Sequence, residues 1–111
     1  TWRKEAEPVS DLGEGNPATL TRLRDGRVCL TYGHRAAPYD IRARLSADRG
    51  HHWGPEIILR SEAGGRDIGY PRTAQRADGI IVTIYYIHDT PAGDRYIEAT
   101  LWDPGAADAN R

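Results

Sequence analysis

The sequence contains no phenylalanine and no methionine, and this absence bears on the fold class. The composition therefore argues against a helical bundle packed on leucine and methionine. The 111 residues instead include 12 glycines, 7 prolines, 6 tyrosines and 3 tryptophans. Turn-forming residues combined with aromatic residues are typical of many short strands joined by tight turns. The composition predicts an all-β chain, and the length is sufficient for one domain.

An excess of charge of either sign is also lacking, because 15 basic and 16 acidic residues leave a net charge of -1. Without a positive field the chain cannot hold a polyanion by counterion release, so nucleic acid is not an expected partner. No window approaches the roughly 18 apolar residues that a membrane-spanning helix requires. The N-terminus is polar and charged where a secretion signal would be apolar. We therefore expect a soluble chain without a membrane partner.

Cysteine is nearly absent, since Cys29 is the only one. It cannot form an intrachain disulfide and does not indicate a redox compartment, so we expect it to be a small buried hydrophobic residue. His51 and His52 adjoin in a turn, where neighbouring side chains point apart, and no Cys or acidic residue stands at ligand spacing. The sequence therefore predicts no metal site and no other cofactor.

Four apolar runs bounded by turn residues fill the first half of the chain. They span residues 17–23, 27–33, 39–46 and 56–60. The third run alternates strictly, with Ile41, Ala43 and Leu45 on one face and Asp40, Arg42 and Arg44 on the other. A period of two excludes a helix. The pattern predicts four short antiparallel strands.

The same pattern repeats with an offset of roughly 53 residues. Asp78-Gly79 corresponds to Asp25-Gly26, and Tyr85 follows its glycine at the distance at which Tyr32 follows its own. The run 97–101 likewise corresponds to the run 41–45. A period near 50 built from four short strands is typical of a β-propeller blade, which buries both faces of its sheet only against neighbouring blades.

The repeat predicts the organisation of the whole chain. Thr1-Trp2 followed by Pro8-Val9 resembles the end of the first repeat, whereas Trp102 to Gly105 stops the second repeat after its third strand. We predict a partial propeller domain over residues 1–111: an outer strand of a preceding blade with a linker at 1–15, a complete blade at 16–62, three strands of the next blade at 63–105 and a tail at 106–111.

One motif indicates which type of β-propeller the sequence resembles. Ser46, Asp48, Gly50 and Trp53 stand in the pattern Ser-x-Asp-x-Gly-x-x-Trp between the third and fourth predicted strands. This motif resembles the Asp-box, or BNR repeat, of the sialidase (neuraminidase) superfamily. The segment 67–71 and the strands after it are similar to the last blade of bacterial sialidase-like propellers. The resemblance covers nearly the whole chain and implies about two blades of a six-bladed, sialidase-type propeller.

The Asp-box has a local structural role rather than a catalytic one. Ser46 and Asp48 can hydrogen-bond turn amides, and Gly50 permits a positive φ. Trp53 can fold back to plug the hairpin against the sheet. In the family the motif lies at the periphery, remote from the substrate pocket. We therefore predict that these four residues stabilise the fold.

Tyr70 is the candidate catalytic residue, because it starts a strand where the resemblance places the catalytic tyrosine of sialidases. Sialic acid carries a carboxylate on its anomeric carbon, so a neutral phenol avoids the repulsion that an Asp or Glu nucleophile would meet. With an ordinary pKa near 10, the phenol needs a carboxylate base. The candidates for this base are Glu56, Glu62 and Glu98, although Glu98 alternates with core positions and is expected on a solvated face. Bacterial sialidases often have serine where Pro71 follows the tyrosine.

Arg35 is the first candidate for substrate binding. It occupies the loop between the second and third predicted strands, about where the family carries one arginine of a triad that clamps the sugar carboxylate. A guanidinium matches a carboxylate bidentately. The alternative is an ordinary surface arginine. Arg72 and Arg66 are weaker candidates near Tyr70, and Tyr86 is a further candidate contact to the sugar.

Together these features predict an exo-α-sialidase-like retaining glycoside hydrolase, or a fragment or subunit of one, that acts on sialic-acid-type sugars. Two other readings stay open. In one, the propeller binds carbohydrate without turnover on an aromatic platform of Tyr70, Tyr86 and Trp102. In the other, two-blade units assemble, three copies completing a six-bladed ring.

Overall fold

The chain forms two antiparallel β-sheets connected by short turns and loops. The structure is a computed structural model that describes residues 8–9 and 17–105. Its strands are β1 (Thr19–Arg22), β2 (Val28–His34), β3 (Asp40–Ser46), β4 (Ile57–Arg60), β5 (Gly69–Gln75), β6 (Ile81–Ile87) and β7 (Tyr96–Trp102). Within the described part, no helix is long and apolar enough to cross a membrane. The outer strand predicted within 1–15 and the tail predicted at 106–111 lie outside the described residues, apart from Pro8 and Val9.

Both sheets are meanders in which each strand pairs with the next. The first sheet has the order β1-β2-β3-β4 and the second the order β5-β6-β7. The four strands predicted for the first half of the chain and the three predicted for the second half are confirmed. The fold is therefore all-β, as predicted.

The first turn of each sheet has the same conformation. Gly26 and Gly79 have φ values of 94° and 92°, a region that glycine adopts without strain. The Asp25 carboxylate accepts the Arg27 amide at 3.0 Å, and the Asp78 carboxylate accepts the Ile80 amide at 3.1 Å. Two Asp-Gly sequences 53 residues apart thus form the same hydrogen-bonded turn, as expected for an Asx-turn.

The core lies between the two sheets in two clusters. One joins Leu23, Cys29 and Leu45 of the first sheet region to Ile81, and Cys29 is fully buried as predicted. The other cluster contains Ile41, Ile68, Tyr85 and Ile87. Full burial of each such aliphatic side chain contributes roughly 1.5–3 kcal/mol. Packing of one sheet face on the other therefore stabilises the pair.

The strict alternation in β3 is confirmed by the burial of its apolar face. Ile41 and Ala43 are fully buried, and Ile41 packs in the cluster that contains Tyr85 and Ile87 of the second sheet. Asp40 lies on the charged face, yet it is also buried, because its carboxylate accepts hydrogen bonds from Arg42 at 2.7 and 3.1 Å and from the Glu62 amide at 3.2 Å. An ion pair and a backbone amide thus replace the water that this carboxylate would otherwise bind.

The meander order separates the candidate residues into two groups. The turns after β1, β3 and β5 lie at one end of the sheets, and the Asp-box forms the turn after β3. The loops after β2, β4 and β6 lie at the other end, which includes Arg35 and the start of β5 at Tyr70. The Asp-box is therefore remote from Tyr70, as predicted.

Candidate functional site

Tyr70 is exposed and has an unusual backbone conformation. Its φ of 48° lies in the left-handed region, which non-glycine residues rarely adopt, and the strand register shifts between Gly69 and Arg72. The Tyr70 side chain is nevertheless 54% exposed, so burial of this ring does not explain the conformation. A strained residue that presents an aromatic ring to solvent is a frequent feature of binding and catalytic sites.

The structure brings Arg35, Tyr70 and Tyr86 together, and we call these three residues the platform. The Arg35 guanidinium carbon lies 5.9 Å from the centre of the Tyr70 ring, within the range of a cation–π contact. The Tyr70 and Tyr86 rings lie 5.8 Å apart at 43°. Arg35 also donates to the Ile68 carbonyl at 3.0 Å and to the Tyr86 hydroxyl at 3.4 Å. Arg35 belongs to the first sheet's loop, so the platform crosses the boundary between the sheets.

A carboxylate and a second arginine support the platform from one side, and sequence reasoning assigned no role to either. The Tyr86 hydroxyl donates to Asp67 Oδ1 at 2.5 Å, and Arg95 Nε donates to Asp67 Oδ2 at 2.9 Å. Burial and the neighbouring Asp67 raise the pKa of Tyr86 to about 12. The hydrogen bonds from Tyr86 and Arg95 lower the pKa of Asp67, so it stays ionised near neutral pH.

The loop that carries Asp67 is held against the loop after β6. The Gly64 amide donates to the His88 carbonyl at 2.7 Å. A Cβ atom at Gly64 would lie 2.6 Å from the backbone of Thr90, so only glycine fits there without movement. This close approach fixes Asp67 relative to Arg95 on the facing loop.

Two other candidates do not join the platform. Arg72 donates to the Thr19 hydroxyl at 3.2 Å and to the Pro71 carbonyl at 3.0 Å. The Trp102 indole donates to the Thr83 hydroxyl at 3.1 Å, and its ring packs on the core cluster at the Asp-box end. The aromatic platform expected from Tyr70, Tyr86 and Trp102 therefore contains only its two tyrosines.

The glutamates considered as a base for Tyr70 have other partners. Glu56 accepts a hydrogen bond from the Tyr32 hydroxyl. Glu98 accepts one from the Tyr85 hydroxyl at 2.6 Å and pairs with Arg60 at 3.1 Å. The expectation of a solvated Glu98 is wrong, because β7 turns this residue toward Tyr85 on the packed face. Burial, then the glutamate hydrogen bond, raises the pKa of Tyr85.

Glu62, the third candidate base, is exposed. Its backbone amide, rather than its carboxylate, makes the contact with Asp40 described above. Among the described residues, no three side chains of His, Cys, Asp and Glu form a group that could hold a metal ion.

The Asp-box forms the turn that its sequence predicted. The Ser46 hydroxyl accepts the Gly50 amide at 2.8 Å and donates to Asp48 at 2.9 Å. Asp48 in turn accepts the His52 amide at 2.8 Å, which is the main reason its pKa is lowered. Gly50 has a φ of 88°, and a Cβ atom there would lie 3.6 Å from the Trp53 ring. The hydrogen bonds of Ser46 and Asp48 are therefore internal to the turn.

Two antiparallel sheets packed face to face define the class of the structure as all-β. No family model matches the chain, and no curated protein matches it. A solved crystal structure of a protein of unknown function from Dyadobacter fermentans is similar, with a TM-score of 0.71 and 32% sequence identity. The match covers 83% of this chain and 26% of the Dyadobacter fermentans chain. This chain therefore spans about a quarter of the length of that protein.

Proposed function

We propose that the chain is part of a sialidase-type β-propeller and that its platform binds a sialic-acid-type sugar. The observation that carries the proposal is the exposed Tyr70 ring, held in a left-handed backbone conformation between Arg35 and Tyr86. The Asp-box resemblance supports the choice of family, and the geometry of the platform supports binding of an acidic sugar.

The distribution of exposed apolar residues supports the stacking of further blades. Ile41 and Leu45 are 0% and 6% exposed because the second sheet covers them. Their counterparts in the repeat, Ile97 and Leu101, are 71% and 55% exposed on the outer face of the second sheet. A third sheet packed on that face would bury them in the same way. A protein that extends well beyond the matched region, as the Dyadobacter fermentans protein does, has chain for such sheets.

The composition of the platform suits a sugar acid. The flat face of Tyr70 can contact the C–H surface of a sugar ring, and Tyr86 extends that apolar surface. Arg35 adds a cation beside the ring, and its carbonyl contact with Ile68 orients the guanidinium. A planar donor of this kind matches the carboxylate of sialic acid. We therefore favour an acidic sugar over a neutral one.

Hydrolysis with Tyr70 as the nucleophile is the second candidate function. The exposure of Tyr70 and its strained conformation favour it, because a nucleophile must be presented to its substrate. Glu56 and Glu98 are bonded to other tyrosines, so neither serves as the base for Tyr70. In this proposal, a base and an acid come from other blades of a complete propeller.

Binding is tested by titrating the purified chain with α2,3-sialyllactose and with lactose, followed by saturation-transfer NMR and calorimetry. We expect sialyllactose to bind and lactose to bind at least tenfold more weakly. Tyr70→Ala and Arg35→Gln should each weaken sialyllactose binding by about tenfold or more, which corresponds to about 1.4 kcal/mol.

The matched controls use a tyrosine and an arginine outside the platform. Tyr96 is exposed, and its hydroxyl lies 3.4 Å from Arg60. Tyr96→Ala and Arg60→Gln should leave sialyllactose binding unchanged. Equal losses in the platform and control variants, or equal affinity for lactose, would contradict the proposal.

The assembly reading is tested by light scattering on the same sample. A trimer near three times 12.3 kDa would support a ring closed by two-blade units, and release of sialic acid by that trimer but not by its Tyr70→Phe variant would favour hydrolysis. A monomer that binds sialyllactose without releasing sialic acid would favour the binding function.

A further inference from the structure

We propose that Asp67, held by Arg95, is a positioning residue that fixes Arg35 over the Tyr70 ring through the Tyr86 hydroxyl. The inference rests on the proposed function of the platform and adds a residue to it. Neither the Asp-box resemblance nor the similar structure assigns a role to Asp67 or Arg95.

The contacts form a continuous chain from one arginine to the other. Arg95 donates to one oxygen of Asp67, and the Tyr86 hydroxyl donates to the other at 2.5 Å. Because its proton is committed to Asp67, the Tyr86 oxygen presents its lone pairs to Arg35, whose Nη2 lies 3.4 Å away. Hydrogen bonds in such a chain polarise one another, so a carboxylate at one end strengthens the acceptor at the other. Asp67 is therefore linked to Arg35 through the Tyr86 hydroxyl.

The Asp67–Arg95 ion pair alone is not evidence for a positioning role. Asp67 and Arg95 have side chains that are 55% and 40% exposed, and exposed pairs contribute little stability. The role comes from the third partner, since Tyr86 is half-buried and packs on the Tyr70 ring. Asp67 thus joins a loop on the surface to the aromatic pair that would contact the sugar.

Removal of the Asp67 charge distinguishes two explanations for sugar binding, namely positioning of Arg35 and the net charge of the cluster. Asp67 is a negative group beside Arg35 and Arg95, so Asp67→Asn makes the cluster more positive. If the platform acted only through net charge, the variant would bind an anionic sugar more tightly. If Asp67 positions Arg35, the variant binds it more weakly. The two explanations therefore predict effects of opposite sign.

The experiment measures the affinity for α2,3-sialyllactose and the NMR signals of the side chains in the same samples. Asp67→Asn is expected to weaken binding about tenfold, and Asp67→Glu to restore part of the loss. The Arg35 Nε–H signal should shift or broaden, and the Tyr86 13Cζ titration should move to lower pH because the carboxylate charge is gone.

Asp89 provides a matched control, because it accepts Tyr96 Oη at 2.6 Å and Arg60 Nη2 at 2.7 Å in a second Tyr–Asp–Arg arrangement. Asp89→Asn should leave sialyllactose binding and the Arg35 signal unchanged. An affinity for Asp67→Asn that is unchanged or higher, or an Arg35 signal that does not respond, would overturn the inference. If the wild type binds no sialyllactose, the proposed function fails, whereas the Arg35 and Tyr86 signals still decide whether Asp67 orders the platform.

Discussion

The backbone conformation of Tyr70 predicts that a glycine variant is more stable than an alanine variant at this position. This is the reverse of their usual order of stability. Tyr70→Ala and Tyr70→Gly both remove the aromatic ring and its contacts with Arg35 and Tyr86. They differ in the left-handed φ of 48°, which costs an L-residue about 1–2 kcal/mol and glycine almost nothing. Glycine also lowers the free energy of unfolding by about 0.4–1 kcal/mol relative to alanine, because it increases the conformational entropy of the unfolded chain. We therefore expect Tyr70→Gly to be more stable than Tyr70→Ala by about 0.5–1 kcal/mol.

The measurement is urea-induced unfolding followed by tryptophan fluorescence, with thermal unfolding as a second method. A difference of 1 kcal/mol corresponds to a shift of about 4–8 °C in Tm for a domain of this size. The matched control is Tyr96, which lies in a strand and has no positive φ, so there Tyr96→Ala should be more stable than Tyr96→Gly. A Tyr70→Ala variant as stable as Tyr70→Gly would refute the argument that this backbone is strained.

Three further changes test the packing, a buried hydroxyl and the response to pH. Gly64→Ala should lower the free energy of unfolding by about 1–3 kcal/mol through its clash with a neighbouring backbone, whereas Gly54→Ala, which has ordinary contacts, should cost less in the same urea titration. Tyr85→Phe should cost about 1–3 kcal/mol because two hydrogen-bond partners lose the hydroxyl, and Tyr96→Phe on the surface should cost no more than about 0.5 kcal/mol by thermal unfolding. The pKa of Asp48 is lower in the folded state than its ordinary value of 3.8. Its stabilising effect is therefore present above pH 4 and lost as the pH falls further, so unfolding midpoints measured from pH 7 to pH 2 should decline less steeply in Asp48→Asn.

The strands and their turns could be predicted because their causes are local. Alternation in β3 and the two Asp-Gly turns depend on residues that are neighbours in the sequence. The same is true of the Asp-box, in which the side chains of Ser46 and Asp48 serve amides only a few positions away. Local hydrogen bonds leave a pattern that the sequence shows directly.

The platform could be predicted only in part. Only the family resemblance predicts Tyr70 and Arg35 as site residues, because 35 positions separate them and no periodicity connects them. Asp67 and Arg95 leave still less signal, since their contact depends on how two loops meet at a glycine. The prediction that Trp102 joins the two tyrosines is wrong, because the sequence does not specify which face of β7 is covered. In the structure, Trp102 pairs with Ile81 at the start of β6, which places it on the same face of the sheet as this buried residue.

The location of the platform at the boundary of the two sheets has a consequence for fragments of the protein. The hydrogen bonds of Ser46 and Asp48 are formed within the turn after β3, so a fragment that contains only the first sheet would keep them. Arg35 comes from the loop after β2, whereas Tyr70 and Tyr86 belong to the second sheet. Neither sheet alone supplies all three side chains, so a cut between β4 and β5 would divide the platform.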